Sequence, residues 1–271
     1  SKDYNFLPHH PRPGHQDMVM HKRTKGEADL RGGGMSSARL TAPLVAAAAF
    51  VAPLLAPLGI KAEAQVGAIG NVEAGEMEHQ PARWSTDACK EMRCRDPDAA
   101  EAMVNLVESQ RMNLNSIGSR VDLIVTGTPL GLGEPWFDGI EPAMARAMMS
   151  IPAARGVTFG RGFNVVNMTG LEHNDAWGGS PESPTPLGER PDGVLAGLAT
   201  SAPIRCSVAF KPPSSIASEQ KTLHLESGAI EPLTVKGRHD PVLGPRAVAV
   251  VEAMAILVLT DLALRGGFID G

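Results

Sequence analysis

The apolar run from Leu40 to Ile60 is the feature that most constrains how this chain can fold. Its length just meets the ~20 residues that cross a bilayer, and the segment Lys61 to Gln65 resembles a signal-peptide cleavage site. The largely polar residues 1–34 and three prolines inside the run argue against export. We therefore expect residues 40–58 to form a buried helix that is not cleaved, in a cytoplasmic protein.

The composition allows one large domain with a substantial core. The chain has 271 residues, of which 43% are hydrophobic and only 4% are aromatic. We expect a single domain over residues 1–271. The net charge of −5 gives no general attraction to nucleic acid or to an anionic membrane, so we expect neither as a partner. An anionic ligand would have to be held by a local cluster of arginines.

The three cysteines, Cys89, Cys94 and Cys206, do not form the pattern of a disulfide framework, which fits a reducing compartment. Cys89 and Cys94 have no second pair of metal ligands near them in the sequence. Structural thiols are therefore favoured over a zinc site, and the sequence predicts no bound metal.

Helices and strands are interspersed without a regular βαβ spacing, which favours the α+β class. Predicted helices cover 40–58, 96–111, 140–149 and 247–264, and predicted strands cover 66–72, 121–126, 156–168 and 204–210. Residues 1–34 are predicted to form surface loops that carry functional groups. Residues 174–193 hold eight Gly or Pro residues and are predicted to form a mobile loop.

The segment from Pro11 to Asp17 is one of five that hold more Gly, Arg, Ser or His than core packing requires. Two prolines fix the backbone around Arg12, and Gly14 permits a turn that presents His15. A histidine on a stiff loop beside an arginine is suited to proton transfer near an anion. An exposed loop histidine without a function is the alternative for this segment alone.

Two further segments carry hydroxyl groups beside glycine or proline. In the segment Gly32 to Arg39, glycines precede Ser36 and Ser37 ahead of the apolar helix, as in a phosphate-binding turn that is not a P-loop. The segment Phe210 to Ile216 places a lysine, two prolines and two serines after a predicted strand, which suits a cofactor phosphate. A flexible linker and a proline-rich turn are the respective alternatives.

The last two segments differ in how much they indicate. Tight turns alone would explain the glycines of residues 127–137. Residues 237–241 instead place Arg238, His239 and Asp240 between a glycine and a proline, just before the apolar C-terminal helix. Ionisable groups beside buried surface are costly unless they are paired or functional. A solvated turn with a structural Arg–Asp pair is the alternative.

Together these segments resemble the chorismate synthase family, whose short motifs occur here in the same order. The matching segments are 12–15, 32–39, 115–118, 131–135, 150–153, 170–175, 211–216, 237–241, 246–248 and 252–254. The resemblance covers about residues 8–265 and begins after the family's first segment, which carries a Gly-Glu-Ser-His-Gly motif. The fold that it implies is a β-α-β sandwich of the α+β class, incomplete at the N-terminus.

The activity that the resemblance implies is that of a phosphate-eliminating carbon–oxygen lyase of the shikimate pathway. Its substrate would be 5-enolpyruvylshikimate 3-phosphate, and an anti-1,4-elimination would give chorismate for aromatic amino acid biosynthesis. Reduced FMN is the implied cofactor, NADP is a further associated nucleotide, and a homotetramer is the implied assembly. The alternative is a non-catalytic or truncated relative that binds flavin or acts only as an oligomer partner.

The resemblance also implies roles for individual residues. His15 and Asp240 are expected to be catalytic, because both can move protons. Arg12, Arg39 and Arg238 are expected to bind the phosphate and carboxylates of the substrate, for which planar bidentate donors are favoured. The expected FMN contacts are Ser36, Ser37, Pro152, Ala153, Lys211, Pro212, Pro213, Ser214, Ser215 and Arg238.

Two residues depart from the family's pattern near the serine-containing turn. Met35 stands where the family carries an arginine, and Leu40 stands where it carries a glutamate. The loss of a cation is expected to weaken anion binding, since each hydrogen bond to a charged group contributes about 1.5–3 kcal/mol.

Overall fold

The computed structural model describes residues 4–80, 84–237 and 239–270, and these contain both helices and antiparallel strands. The helices are α1 Asp17–Arg23, α2 Ala42–Leu55, α3 Asp87–Met92, α4 Pro97–Met112, α5 Ile140–Ser150, α6 Gly170–His173 and α7 Gly244–Arg265. The strands are β1 Lys61–Ile69, β2 Val72–Glu73, β3 Ser119–Thr126, β4 Ala154–Phe159, β5 Trp177–Ser180, β6 Ser183–Pro186, β7 Val194–Leu195, β8 Leu198–Ala199, β9 Ile204–Phe210, β10 Gln220–Leu223 and β11 Ile230–Leu233. The predicted α+β class is confirmed.

Five strands form one antiparallel sheet in the order β2-β1-β3-β9-β4. β9 lies between β3 and β4, although it follows both in the chain. Phe210, the last residue of β9, lies opposite Ser119 at the start of β3 and opposite Ala154 at the start of β4. This end of the sheet therefore brings together the starts of two strands and the segment that follows β9.

The helix α7 provides the main packing surface for the sheet. It packs against β1, β3 and α5, and it also packs against α2. Val251, Ala255 and Leu259 recur at every fourth residue of α7 and are fully buried. They belong to a continuous apolar core that also contains residues of the sheet and of α3, α4 and α5. The single domain over residues 1–271 stays a prediction.

The apolar run forms the predicted helix, but the prediction that this helix is buried is wrong. Only Ala48 and Leu55 are buried in α2, and the side chain of Phe50 is 85% exposed. The helix is apolar on all sides, whereas its packing partner α7 covers only one of them. By length and composition, α7 and the stretch Ala38–Leu58 could each cross a membrane, but their apolar windows are 61% and 17% buried within the protein.

Several sequence-based boundaries are confirmed. α4 begins after Asp96, whose Oδ1 accepts a hydrogen bond from the backbone N–H of Ala99 at 3.1 Å, as predicted for an N-cap. The predicted strand 204–210 corresponds to β9, and the predicted strand 121–126 lies within β3. The apolar C-terminal helix is α7, which is longer than predicted by a few residues at its start.

Other boundaries are wrong for local physical reasons. The strand predicted over 156–168 ends at Phe159, because Gly160 and Gly162 adopt φ values of 54° and 57° and a 3₁₀-helix follows. The strand predicted over 66–72 starts earlier, at Lys61, because its pairing with β3 begins there.

Two segments predicted to be loops contain regular structure. Residues 174–193 include the hairpin of β5 and β6, in which Trp177 lies opposite Pro186. The prolines of β6 lie in a sheet of only two strands, where a missing N–H donor is tolerated. Residues 1–34 include α1, whose first residue, Asp17, is buried.

Candidate active site

A cavity of about 990 Å³ opens where β9 ends and β4 begins. Its walls are formed by residues from five stretches, 12–19, 32–41, 149–155, 210–215 and 239–250, and by Tyr4. Small-molecule sites in proteins typically enclose about 300–1,000 Å³. The cavity is therefore large enough for a cofactor and a small substrate together.

The stretches around the cavity are held together by hydrogen bonds between distant residues. The backbone N–H of Lys211 donates to the carbonyl oxygen of Ala153 at 3.0 Å, which joins the end of β9 to the turn before β4. The carbonyl oxygen of Gly14 accepts from Lys211 Nζ at 2.5 Å and from Ser214 Oγ at 2.7 Å. Gly14 has a φ of 66°, a conformation that L side chains rarely adopt. The turn predicted at Gly14 thus docks the N-terminal segment onto the sheet.

Arg12 and Asp17 form a buried ion pair beside the cavity. Arg12 Nε lies 2.7 Å from Asp17 Oδ2, and Nη2 lies 2.8 Å from Oδ1. Nη2 also donates to the carbonyl oxygens of Leu30 and Gly32, at 3.0 and 2.8 Å. Protein acceptors therefore occupy most of the donors of this guanidinium, which joins the segment of His15 to the glycine-rich turn.

His15 is oriented by the same carboxylate. Its Nδ1 lies 2.7 Å from Asp17 Oδ1. Burial raises the pKa of Asp17, but hydrogen bonds from Arg12 and His15 outweigh it and hold this pKa well below its usual range. An ionised carboxylate only accepts hydrogen bonds, so the proton of a neutral His15 resides on Nδ1. Nε2 is then the ring nitrogen that can exchange a proton in the cavity, whose wall includes His15.

The glycine-rich turn presents its hydroxyl groups and an arginine to the cavity. A Cβ on Gly33 would lie 2.9 Å from the Cα of Ser37, so a larger residue would not fit there. Ser37 Oγ accepts from the backbone N–H of Arg39 at 3.3 Å and caps the short 3₁₀-helix Ala38–Thr41. Ser36, Ser37 and Arg39 all line the cavity. Within the described chain, the guanidinium of Arg39 forms no hydrogen bond or ion pair with the protein.

The segment after β9 contributes a further cation. The hydrogen-bond partners of Lys211 Nζ are Gly14 O and Ser214 Oγ, which are both neutral. Burial lowers the pKa of Lys211, and the nearby Arg155 lowers it further. Of the residues expected to contact FMN, Pro152, Ala153, Pro213, Ser214 and Ser215 line the cavity, whereas Pro212 is absent from the described lining and lies near Gly118.

Sequence analysis did not single out Arg155 or Arg246 as site residues. Arg155 lines the cavity beside Ala153 because it belongs to the start of β4. No motif marks this residue, and only the pairing of β4 with β9 places it at the site. Arg246 belongs to a segment that matches the family, but its side chain was not assigned a role.

The turn before α7 contributes Asp240 to the cavity, and the first turn of α7 contributes Arg246. Arg246 Nη1 donates to Asp240 Oδ2 at 2.7 Å. Among the described lining residues, Asp240 is the only carboxylate. His239 lies next to it and contacts the carbonyl oxygen of Val235 through Nε2 at 2.9 Å. Arg238, which was expected to bind substrate and cofactor, lies outside the described residues.

The cavity is locally positive although the chain carries a net charge of −5. Arg39, Arg155 and Lys211 line it, and in the described part of the chain none of them pairs with a carboxylate. The N-terminus of α7, a helix of 22 residues, adds a partial positive charge at the same wall. The local cluster of cations that an anionic ligand would require is therefore present.

These features describe a cavity suited to an anionic ligand, with cations, hydroxyl groups and a histidine oriented by a buried carboxylate in its described lining. A sequence model described as Chorismate synthase matches residues 1–264. The Chorismate synthase of Aeropyrum pernix is 43% identical over 265 residues, which cover 96% of this chain and 69% of that protein. The Chorismate synthase of Methanosarcina mazei is 38% identical, and the match covers 100% of this chain and 73% of that protein.

A solved structure described as Crystal Structure of Chorismate Synthase has the same fold. It matches with a TM-score of 0.71 and 26% sequence identity, over 92% of this chain and 70% of that one. The chain belongs to the chorismate synthase family, and therefore to the lyases. The resemblance found in the sequence motifs is confirmed.

Proposed function

We propose that the protein catalyses the anti-1,4-elimination of phosphate from 5-enolpyruvylshikimate 3-phosphate, which gives chorismate for aromatic amino acid biosynthesis. The observation that carries the proposal is the group of unpaired cations, Arg39, Arg155 and Lys211, beside His15 in one cavity. A substrate with a phosphate and carboxylates requires such charges. The departing phosphate is also stabilised by fixed positive groups.

Reduced FMN is the proposed cofactor, and the residues present fit it. Ser36, Ser37, Ser214 and Ser215 offer hydroxyl groups, and Lys211 offers a positive charge with neutral partners, which together suit a flavin phosphate. The volume of about 990 Å³ accommodates a flavin beside a small substrate. Bound reduced flavin would supply electron density to the elimination and be recovered unchanged.

The geometry supports distinct roles for the predicted residues. His15 would exchange a proton through Nε2, because Nδ1 is hydrogen bonded to Asp17. Asp240, the only carboxylate in the described lining, would take part in transferring the proton that the substrate ring loses, and Arg246 would hold the carboxylate in place. Arg39 would contact the anionic groups of the substrate directly. We assign Arg12 a positioning role, because Asp17 and backbone carbonyls engage its guanidinium.

The decisive experiment is an anaerobic assay of phosphate release from 5-enolpyruvylshikimate 3-phosphate with photoreduced FMN. We expect turnover, together with saturable FMN binding in a fluorescence titration. FMN binding to a folded protein without turnover would contradict the proposal and favour the non-catalytic relative. The absence of saturable binding below about 1 mM FMN, which corresponds to roughly −4 kcal/mol, would contradict the cofactor assignment.

A cytoplasmic location and a homotetramer complete the proposal. Cys89, Cys94 and Cys206 are buried free thiols, as suits a reducing compartment. The tetramer rests on the family resemblance. Light scattering would measure the mass of the assembly. Mass spectrometry of protein purified from cells would contradict the location if it found a mature N-terminus near Gln65.

A further inference from the structure

Histidines from opposite ends of the chain meet outside the cavity described above. His9 and His10 precede the segment of Arg12, and His224 follows β10. His10 Nε2 lies 2.9 Å from Glu231 Oε2, and the rings of His10 and His224 meet edge to face with their centroids 4.6 Å apart. One ligand atom from each of His10, His224 and Glu231 lies within 4.8 Å of the other two. We propose that these three residues form a Zn²⁺ site.

The donor set and its spacing are those that zinc uses. Two imidazole nitrogens and one carboxylate oxygen leave a fourth tetrahedral position for water. Zn–N and Zn–O bonds of about 2.0–2.2 Å place neighbouring ligand atoms about 3.3 Å apart. His10 Nε2 and Glu231 Oε2, at 2.9 Å, are slightly closer than this. The ligand atoms of all three residues lie within 4.8 Å of one another, which is somewhat farther apart than a bound ion requires. Small side-chain movements are therefore enough to surround an ion.

Metal binding would displace the proton that lies between His10 Nε2 and Glu231 Oε2, since both atoms become ligands. That proton moves to Nδ1 of a neutral His10, or to solvent from a protonated one. His224 must also give up a contact, because its Nδ1 accepts from the backbone N–H of Ser227 at 3.1 Å. If Nδ1 binds the ion, it can no longer accept this hydrogen bond. If Nε2 binds the ion, the proton of the imidazole moves to Nδ1, which then cannot accept either. The hydrogen bond from Ser227 is exposed to solvent, so water can replace His224 as its acceptor. Ser227 Oγ lies 3.3 Å from Glu231 Oε1 and helps to orient the carboxylate.

A second set of possible ligands, His9, His224 and Glu226, shares His224 with the first, so the two sets cannot both be filled. The side chains of His9 and Glu226 are 42% and 72% exposed, whereas those of His10 and Glu231 are 21% and 38% exposed. We assign the ion to the His10, His224 and Glu231 set, because its side chains are less exposed to competing water. His9 stacks against His224, with ring centroids 5.6 Å apart.

Hydrogen bonds to backbone carbonyl oxygens hold the two halves of the zinc site together without a metal. The N–H of Leu225 donates to the carbonyl oxygen of His9 at 2.9 Å, and Thr222 Oγ1 donates to the carbonyl oxygen of Pro11 at 2.5 Å. A bound ion would add a cross-link between positions that are 221 residues apart. It would thereby secure the segment that continues into the ion pair of Arg12.

The test uses the full chain, freed of metal by chelation, with Co²⁺ as a spectroscopic probe and Zn²⁺ as its competitor. We expect the visible absorption of tetrahedral Co²⁺, displacement of this signal by Zn²⁺, and a rise in Tm with Zn²⁺. His224→Ala and Glu231→Gln should each weaken Co²⁺ binding about tenfold or more. The matched control is His79→Ala, since His79 lies 3.8 Å from Glu76 on the surface without belonging to either set.

The outcomes separate the proposed site from nonspecific binding. Glu231→Gln keeps the shape of the side chain, and circular dichroism would verify that each variant is folded. A weak octahedral Co²⁺ spectrum, or binding that His224→Ala leaves unchanged, would overturn the proposal. His9→Ala should leave the affinity within about threefold, well below the effect expected for loss of a ligand. If His9→Ala instead removes binding, the ion belongs to the second set and our assignment is wrong.

Discussion

His15 Nδ1 lies 2.7 Å from Oδ1 of Asp17, a fully buried carboxylate that also receives two side-chain hydrogen bonds from Arg12. This relationship leaves Nε2 as the ring nitrogen of His15 that can exchange a proton in the cavity. The same carboxylate joins His15 to the buried guanidinium of Arg12, so we expect a change at Asp17 to affect both stability and the proposed proton transfer.

Replacing Asp17 by asparagine should destabilise the protein and lower its turnover. The variant would leave the buried guanidinium of Arg12 without its counter-charge, a change that typically costs roughly 3–5 kcal/mol. Urea denaturation would measure the loss. Asp29→Asn is the matched control, because it breaks a solvent-exposed pair with Arg31 on the same segment and should leave the midpoint nearly unchanged. Equal effects of the two variants would contradict the structural role of Asp17.

The same carboxylate should contribute to stability in a pH-dependent way. The pKa of Asp17 is lower in the folded protein than its ordinary value of 3.8, so the unfolded chain takes up the proton first as the pH falls. Its contribution is fully present above pH 3.8 and is lost as the pH falls from there towards the folded pKa. Urea midpoints measured from about pH 6 to about pH 3 should fall less steeply for Asp17→Asn than for the wild type. Parallel curves would contradict the prediction.

His15→Ala and Asp240→Asn should each remove most of the turnover and leave FMN binding largely intact. Neither a methyl group nor an amide can move the proton, and general acid–base groups typically contribute ~10²–10⁴-fold in rate. Phosphate release and flavin titration would measure the two properties separately. His79→Ala and Asp98→Asn, both outside the cavity, are the matched controls. Turnover that survives Asp240→Asn within about threefold would show that its assignment is wrong.

Arg39→Ala should raise KM for the substrate more than it lowers kcat, because the proposed role of Arg39 is recognition of charge. Loss of one hydrogen bond to a charged group costs about 1.5–3 kcal/mol, or roughly 10- to 150-fold in affinity. Arg31→Ala removes an arginine from the same segment but outside the cavity lining. Steady-state kinetics that respond equally to both substitutions would indicate a nonspecific effect of charge.

Met35→Arg should strengthen the binding of phosphate-bearing ligands. Met35 is exposed in the cavity wall next to Ser36, at the position where the family carries an arginine. A new cation there would join the positive charge of Arg39 and tighten FMN or substrate binding. Isothermal titration with either ligand would measure the gain. Met112→Arg adds the same charge at an exposed position outside the cavity and should change nothing.

Local signals predicted much of the fold, and many of the residues that they singled out line the cavity. Asp96 marks the start of α4 through its own side chain, and the apolar pattern of β9 marks both its ends. The motifs containing His15, Ser36 and Lys211 reach one cavity, because each lies in a turn that its own glycines or prolines shape.

What the sequence did not predict depends on contacts between distant residues. Arg155 becomes a site residue only through the pairing of β4 with β9. Asp17 lies two residues from His15, yet its role depends on burial by the surrounding structure. The exposure of α2 also depends on packing. An apolar run indicates that burial of the helix would be favourable, but it does not show whether another part of the protein covers the helix.

The central position of β9 has a consequence for how the protein is made. Among the described strands, β4 pairs only with β9, whose residues leave the ribosome about 50 positions later, or roughly 2–10 seconds at ~5–20 residues per second. During that interval β4 is an unpaired strand, open to incorrect partners on neighbouring nascent chains. The wall that carries Arg155 is therefore vulnerable during translation, and the rate of synthesis through residues 160–210 should influence the yield of folded protein.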